Sequence, residues 1–168
     1  MDTIEFTIRS YENDAGWEPL LTIDIYINER NLIDMVGKVE GRVGDIRDGN
    51  PLEQSYFGIP LHNQYEIAFE FLGLKDRPYS IVLVCTCLEA LCNCIMVKVA
   101  MDEGTVTWSE FKSPLLGGPT PSWWVSEEEA AEAGWEPIDY STLGPFVFDR
   151  KQYISALRKL VANFSSLT

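Results

Sequence analysis

Between residues 79 and 111 three apolar segments follow one another with very little chain between them, and this spacing constrains the fold more than any other feature. Residues 79–87, 92–101 and 105–111 are each long enough for a strand, and the gaps between them are four and three residues. Gaps that short leave no room for the helical crossover that parallel strands require. The chain must run up, down and up again as an antiparallel meander. Asp102-Glu-Gly104 forms the second turn, with a glycine available for positive φ.

The rest of the chain adds to this sheet. Thr3 to Arg9 and Leu20 to Ile27 alternate apolar with polar residues around a turn at Glu12 to Gly16, which predicts an antiparallel N-terminal strand pair. Asn31 to Val36 suits a short helical turn. Residues 37–64 hold five of the twelve glycines and two prolines and read as an irregular excursion of the kind that carries binding surfaces. Tyr65 to Leu72 satisfies the helical and the strand period alike. After the meander come a Pro- and Gly-rich loop at 113–124, a short capped helix from Ser126 to Gly134, and a strand at 144–148. Asp149 and Gln152 read as the cap of a final amphipathic helix with Tyr153, Leu157, Leu160 and Phe164 on one face. The expected fold is α+β: an antiparallel sheet, made of the 79–111 meander and the N-terminal strand pair, with the C-terminal helix packed on it. At 168 residues, 46% hydrophobic, the chain is expected to form one domain, 1–168.

All four cysteines flank the meander's first turn, as Cys85-Thr-Cys87 and Cys92-Asn-Cys94. A loop at Leu88 to Leu91 sets Cys87 opposite Cys92 and Cys85 opposite Cys94, with four sulfurs on one side of the hairpin. Three readings stay open: packing, since cysteine behaves as a small hydrophobe; a zinc or copper site; and a disulfide or redox role. Alternate residues on a regular strand stand almost ~7 Å apart, so tetrahedral zinc requires the strands to bend.

Other chemistry is sparse. His62 is the only histidine and has no nucleophile signature around it; no phosphate loop, dinucleotide fingerprint or zinc-protease motif occurs. No catalytic residue is expected. The net charge of −13, from 26 acids and 13 bases, disfavours nucleic acid and favours a basic partner. No apolar run reaches membrane-spanning length, and the acidic start is unlike a signal peptide, so a cytoplasmic protein is expected. Trp123 and Trp124, beside the 113–124 loop, are the kind of aromatics that anchor interfaces.

Three segments, Cys85-Thr-Cys87 with Cys92, Thr105 to Phe111 and Pro145 to Tyr153, together resemble a family of uncharacterised bacterial proteins over roughly residues 79–160. The resemblance implies a bacterial, cytoplasmic setting and lends no activity. Its members carry a C-x-C and one later cysteine, so it implies that Cys94 is an addition.

The expectation is therefore an acidic, non-enzymatic bacterial protein that binds another, basic protein through 37–64 or 113–124. An immunity protein that neutralises a basic toxin is its most concrete form. The alternative is a metal-binding protein that holds zinc or copper through Cys85, Cys87, Cys92 and Cys94.

Overall fold

The first two strands arise from strict alternation. Ile4 and Phe6 on β1 (Ile4–Tyr11), and Ile23, Ile25 and Ile27 on β2 (Leu20–Ile27), point to one face and are buried in the main core. They pair antiparallel without a register shift, from Ile4 opposite Ile27 to Tyr11 opposite Leu20. In the computed structural model, the residues described are 1–12, 18–40, 56–61, 70–73, 78–85 (of Cys85, the backbone), 94–113 and 138–166. The expected turn at 12–16 and helix at 126–134 lie almost wholly outside them, as do Trp123, Trp124 and His62.

A tight turn in which Asn28 and Glu29 both take positive φ leads from β2 into β3 (Arg30–Asn31) and then α1 (Leu32–Val39). Asn31 caps this helix by accepting the Ile33 N–H, at 2.9 Å. The Asn31 amide also donates to the buried Asp24 carboxylate, which is paired with Arg9 at 3.2 Å. Leu32, Ile33 and Val36 bury the inner face of the helix.

The next element differs from expectation. Within the supposed irregular excursion, Tyr56–Pro60 forms β4, which joins β2 to the meander: Ile23 faces Ile59 and Phe57 faces Val84. Gly58 and Pro60 read as strand breakers. At 58, however, glycine is what lets the strands close up, because a Cβ there would collide with the Ile23 carbonyl. Residues 70–72 are helical, which settles the end of the ambiguous 65–72 segment.

The meander follows as β5 (Ser80–Cys85), β6 (Cys94–Met101) and β7 (Thr105–Lys112), and then β8 (Phe146–Asp149) and α2 (Arg150–Ser166). The strand order is β1-β2-β4-β5-β6-β7-β8, antiparallel throughout, with β3 attached to β2. The first and last strands approach at one corner. There Asp2 bridges Phe148, donating its N–H to the Val147 carbonyl and accepting the Val147 N–H on its carboxylate, each at 2.8 Å.

A shift in the β6–β7 register accompanies Glu110, whose φ is +55°. The extra residue resets the alternation, so Phe111 joins Val106 and Trp108 in the core. The 102–104 turn does not use a left-handed glycine. Gly104 has ordinary φ and open space around it, and the Asp102 carboxylate organises the turn by accepting the N–H groups of Gly104 and Thr105.

The C-terminal helix packs on the sheet through Tyr153, Leu157 and Leu160. Asp149 caps it by accepting the Gln152 N–H, but the return half of the expected capping box is missing. The Gln152 amide turns instead to β1, donating to the Ile4 carbonyl at 2.7 Å and accepting the Ile4 N–H at 3.3 Å. It replaces a strand neighbour at an otherwise open edge. Arg150, misplaced for the helix dipole, donates to the Asp102 carbonyl and so ties the helix start to the β6–β7 turn.

Candidate functional site

Strand direction brings four strand ends to one end of the sheet. β4 begins at Tyr56, β5 ends at Cys85, β6 begins at Cys94 and β7 ends at Lys112, and Tyr56 is paired with Cys85 while Met96 is paired with Lys112. These termini lie at the same end of the antiparallel sheet. Segments 41–55, 86–93 and 114–137 all leave or rejoin the described structure there, and within them are most of the expected partner-binding stretches, two of the cysteines and both tryptophans.

Two of these three segments share an anchor. Glu40 ends α1, and its backbone N–H closes onto the Val36 carbonyl at 3.0 Å. Its side chain turns to the sheet, where the hydroxyls of Tyr56 and Tyr140 both donate to the same oxygen, Oε2, at 2.7 and 2.6 Å. The Ser113 hydroxyl hydrogen-bonds the Tyr140 phenol in turn. Glu40 and Tyr56 bracket segment 41–55; Ser113 and Tyr140 stand at the two ends of segment 114–137. The Glu40 carboxylate therefore joins Tyr56 and Tyr140 directly, and Ser113 through Tyr140.

The chemistry of the cluster is that of an anchor. Tyr56 and Tyr140 are 1% and 7% exposed. Burial, the hydrogen bond to Glu40 and the nearby Glu40 charge hold the Tyr140 hydroxyl far above the ordinary tyrosine range. It stays protonated at any pH the protein meets and acts as a donor, unsuited to serve as base or nucleophile. Hydrogen bonds from neutral donors to a charged acceptor are the strong kind. No motif in the sequence marks this cluster, because its members are 16 and 100 residues apart.

The cysteine hairpin is present with a different register. Val84, and not Cys85, stands opposite Cys94. A bulge between Ile81 and Leu83 moves the pairing one residue toward the expected match of Cys85 with Cys94 and leaves it one residue short. The Cys94 side chain is wholly buried, on a strand whose neighbours Ile95, Met96 and Val97 are buried as well. Cys87 and Cys92 lie outside the described residues. Among the described residues no group of three or more His, Cys, Asp or Glu side chains is arranged to hold a metal, and no helix is long and apolar enough to cross a membrane.

A shallow groove of about 620 Å³ lies at the opposite end of the sheet, with Leu72, Met101 and Ile154 as its apolar lining and Asp102, Glu103 and Arg150 as its charged lining. Asp102 and Arg150 are already engaged in the turn that they hold.

No protein-family model, no curated protein and no solved structure matches this chain.

Proposed function

We propose that this chain is an acidic, non-enzymatic binding protein of the bacterial cytoplasm that contacts a basic protein partner at the end of the sheet from which segments 41–55 and 114–137 depart. The reading rests on one observation: two stretches far apart in sequence, which overlap the candidate contact regions 37–64 and 113–124, have their stems tied to the same carboxylate. Binding surfaces are commonly built from segments held on a rigid scaffold in this way. The net charge of −13 supports a basic partner, and an immunity protein against a basic toxin is the most concrete form of the proposal.

Site-specific photo-cross-linking tests it. A benzophenone side chain at Trp123 or Trp124 is expected to capture a basic protein at low salt and progressively less of it as salt rises. The same group at Glu103, at the other end of the sheet, is the control. Equal capture from both ends, or capture that ignores salt, overturns the proposal.

A second reading, a zinc- or copper-binding protein, is supported by the pairing of β5 with β6. The strand pair on which the reading depends is formed, with Cys85 and Cys94 at its strand ends one residue out of the expected register. Elemental analysis of protein purified without chelator decides it: about one metal per chain is expected if the thiols are ligands, and none if they pack.

A further inference from the structure

We infer that Thr22 and Asp24 hold an internal water molecule on the face of β2 that is turned away from the main core. The two alternate along the strand with Ile23 and Ile25, so their side chains share that outer face. Thr22 is 0% exposed and Asp24 1%. Yet neither the Thr22 hydroxyl oxygen nor Oδ1 of Asp24 has a hydrogen-bond partner among the described residues. A buried polar atom left unpaired forfeits its hydration outright, and two of them side by side on one strand face call for a shared ligand.

The flanking strands explain why these two oxygens are left over. On the β4 side Thr22 is paired with Pro60, and a Cβ on Gly58 would lie 3.2 Å from the Asp24 nitrogen; neither Pro60 nor Gly58 carries a polar side chain. On the β1 side Thr7 stands opposite Asp24 and Arg9 opposite Thr22. Arg9 donates from Nη1 to Oδ2 of Asp24 at 3.2 Å, while its guanidinium lies over the Tyr11 ring, 4.8 Å from the centroid. The Asn31 amide donates to the same Oδ2 at 3.0 Å. Both protein donors converge on one carboxylate oxygen, and the other is left to a different donor.

Water suits this site better than a cation does. The Asp24 charge already faces the Arg9 guanidinium, which would repel a second positive charge. A water molecule is neutral and works in both directions: it donates to Oδ1, exchanges a hydrogen bond with the Thr22 hydroxyl, and accepts one of the remaining Arg9 N–H groups. Those bonds number about three, as is usual for an internal water. With bonds of about 2.8 Å, one water bridges oxygens up to about 5.6 Å apart, a reach that suits side chains two residues apart on a strand. The Arg9 side chain is 29% exposed and lies where the water would enter. Oδ2 of Asp24 holds the Asn31 side chain that caps α1, so the water completes the carboxylate that fixes the start of this helix.

The test pairs a high-resolution crystal structure of the full chain with urea denaturation of Thr22→Val, which keeps the shape of the side chain and removes the hydroxyl. The crystal structure is expected to show one water within about 3.2 Å of both oxygens. No density there overturns the inference, and so does a peak about 2.4 Å from Oδ1, the distance of a metal ion. Thr22→Val is expected to raise the unfolding equilibrium constant by about tenfold, because Oδ1 then loses the water that served it. A hydroxyl that is merely unpaired gives the opposite sign, since a methyl in its place removes an unsatisfied group. A variant as stable as the wild type, or more stable, therefore overturns the water site. The crystallographic arm stands whether or not the variant folds.

Discussion

Tyr153 and Tyr140 are both buried phenols whose hydroxyls donate to an oxygen 2.6 Å away, yet their surroundings are of opposite kinds. Tyr153 donates to the Phe71 carbonyl, accepts the Trp108 indole N–H at 3.1 Å, and is ringed by Phe6, Trp108 and Phe148. Every partner there is neutral, and the stability is mostly that of packed aromatic surface. Tyr140 donates to a carboxylate where two long segments join the sheet. Its bond is charge-assisted, and it ties the end of α1 to the chain that precedes β8. The first region makes the fold; the second fixes where its departing segments begin.

The largest effect belongs to the aromatic region. Trp108→Ala empties a site that is fully buried and ringed by four aromatic side chains, and is expected to lower stability by about 3–5 kcal/mol in urea denaturation. A loss under about 1 kcal/mol would show that the core does not depend on it and would break the contrast.

The two tyrosines sharpen it. Tyr153→Phe and Tyr140→Phe should each cost about 1–3 kcal/mol, since each strands a buried polar partner. They should part in hydrogen exchange: the first quickening α2 and residues 70–73, the second residues 39–40 and 113. Identical exchange patterns would mean that the two networks are one.

Cys94→Ser is expected to cost about 1–3 kcal/mol if the thiol simply packs, since a hydroxyl is then buried among apolar neighbours. If the cysteines hold a metal, the same substitution lowers the metal content instead, and thiol titration with and without chelator separates the two outcomes.

The smallest effect is at the corner where the sheet ends meet. The Asn28 amide, and then the Val147 N–H, hold the Asp2 carboxyl below the usual aspartate range, and burial opposes them only in part. A lowered folded-state value adds stability above the unfolded-state value and loses it as pH falls through the folded one. Asp2→Asn should therefore destabilise the protein at neutral pH by well under about 1 kcal/mol, the scale of an exposed charge, with the gap closing below about pH 4. A gap that persists at pH 2 would assign the effect to shape and not to charge.

Much of the sheet was legible from the chain because its signals are local. Leu20–Ile27 has the bounds that its alternation predicts, and the meander strands fall within two residues of theirs. The misreadings came where a residue answered to a distant neighbour. Gly58 and Pro60 imply a break, and only the approach of the Ile23 carbonyl explains a glycine inside a strand. Gln152 looks like half of a capping box until the open edge of β1 claims its amide. The cysteine register stays one residue from the expected match even after the bulge between Ile81 and Leu83, and alternation foresees neither.

The amino-acid sequence by itself determined the fold class, the strand pairs that adjoin along the chain and the apolar face of the last helix, because periodicity and turn length act between neighbours. It also set the net charge of −13. Only the tertiary structure decided that Glu40, Tyr56, Ser113 and Tyr140 meet. Residues this far apart come together when strand order and direction carry them to one end of a sheet, and their bonds form only after the core has closed around them.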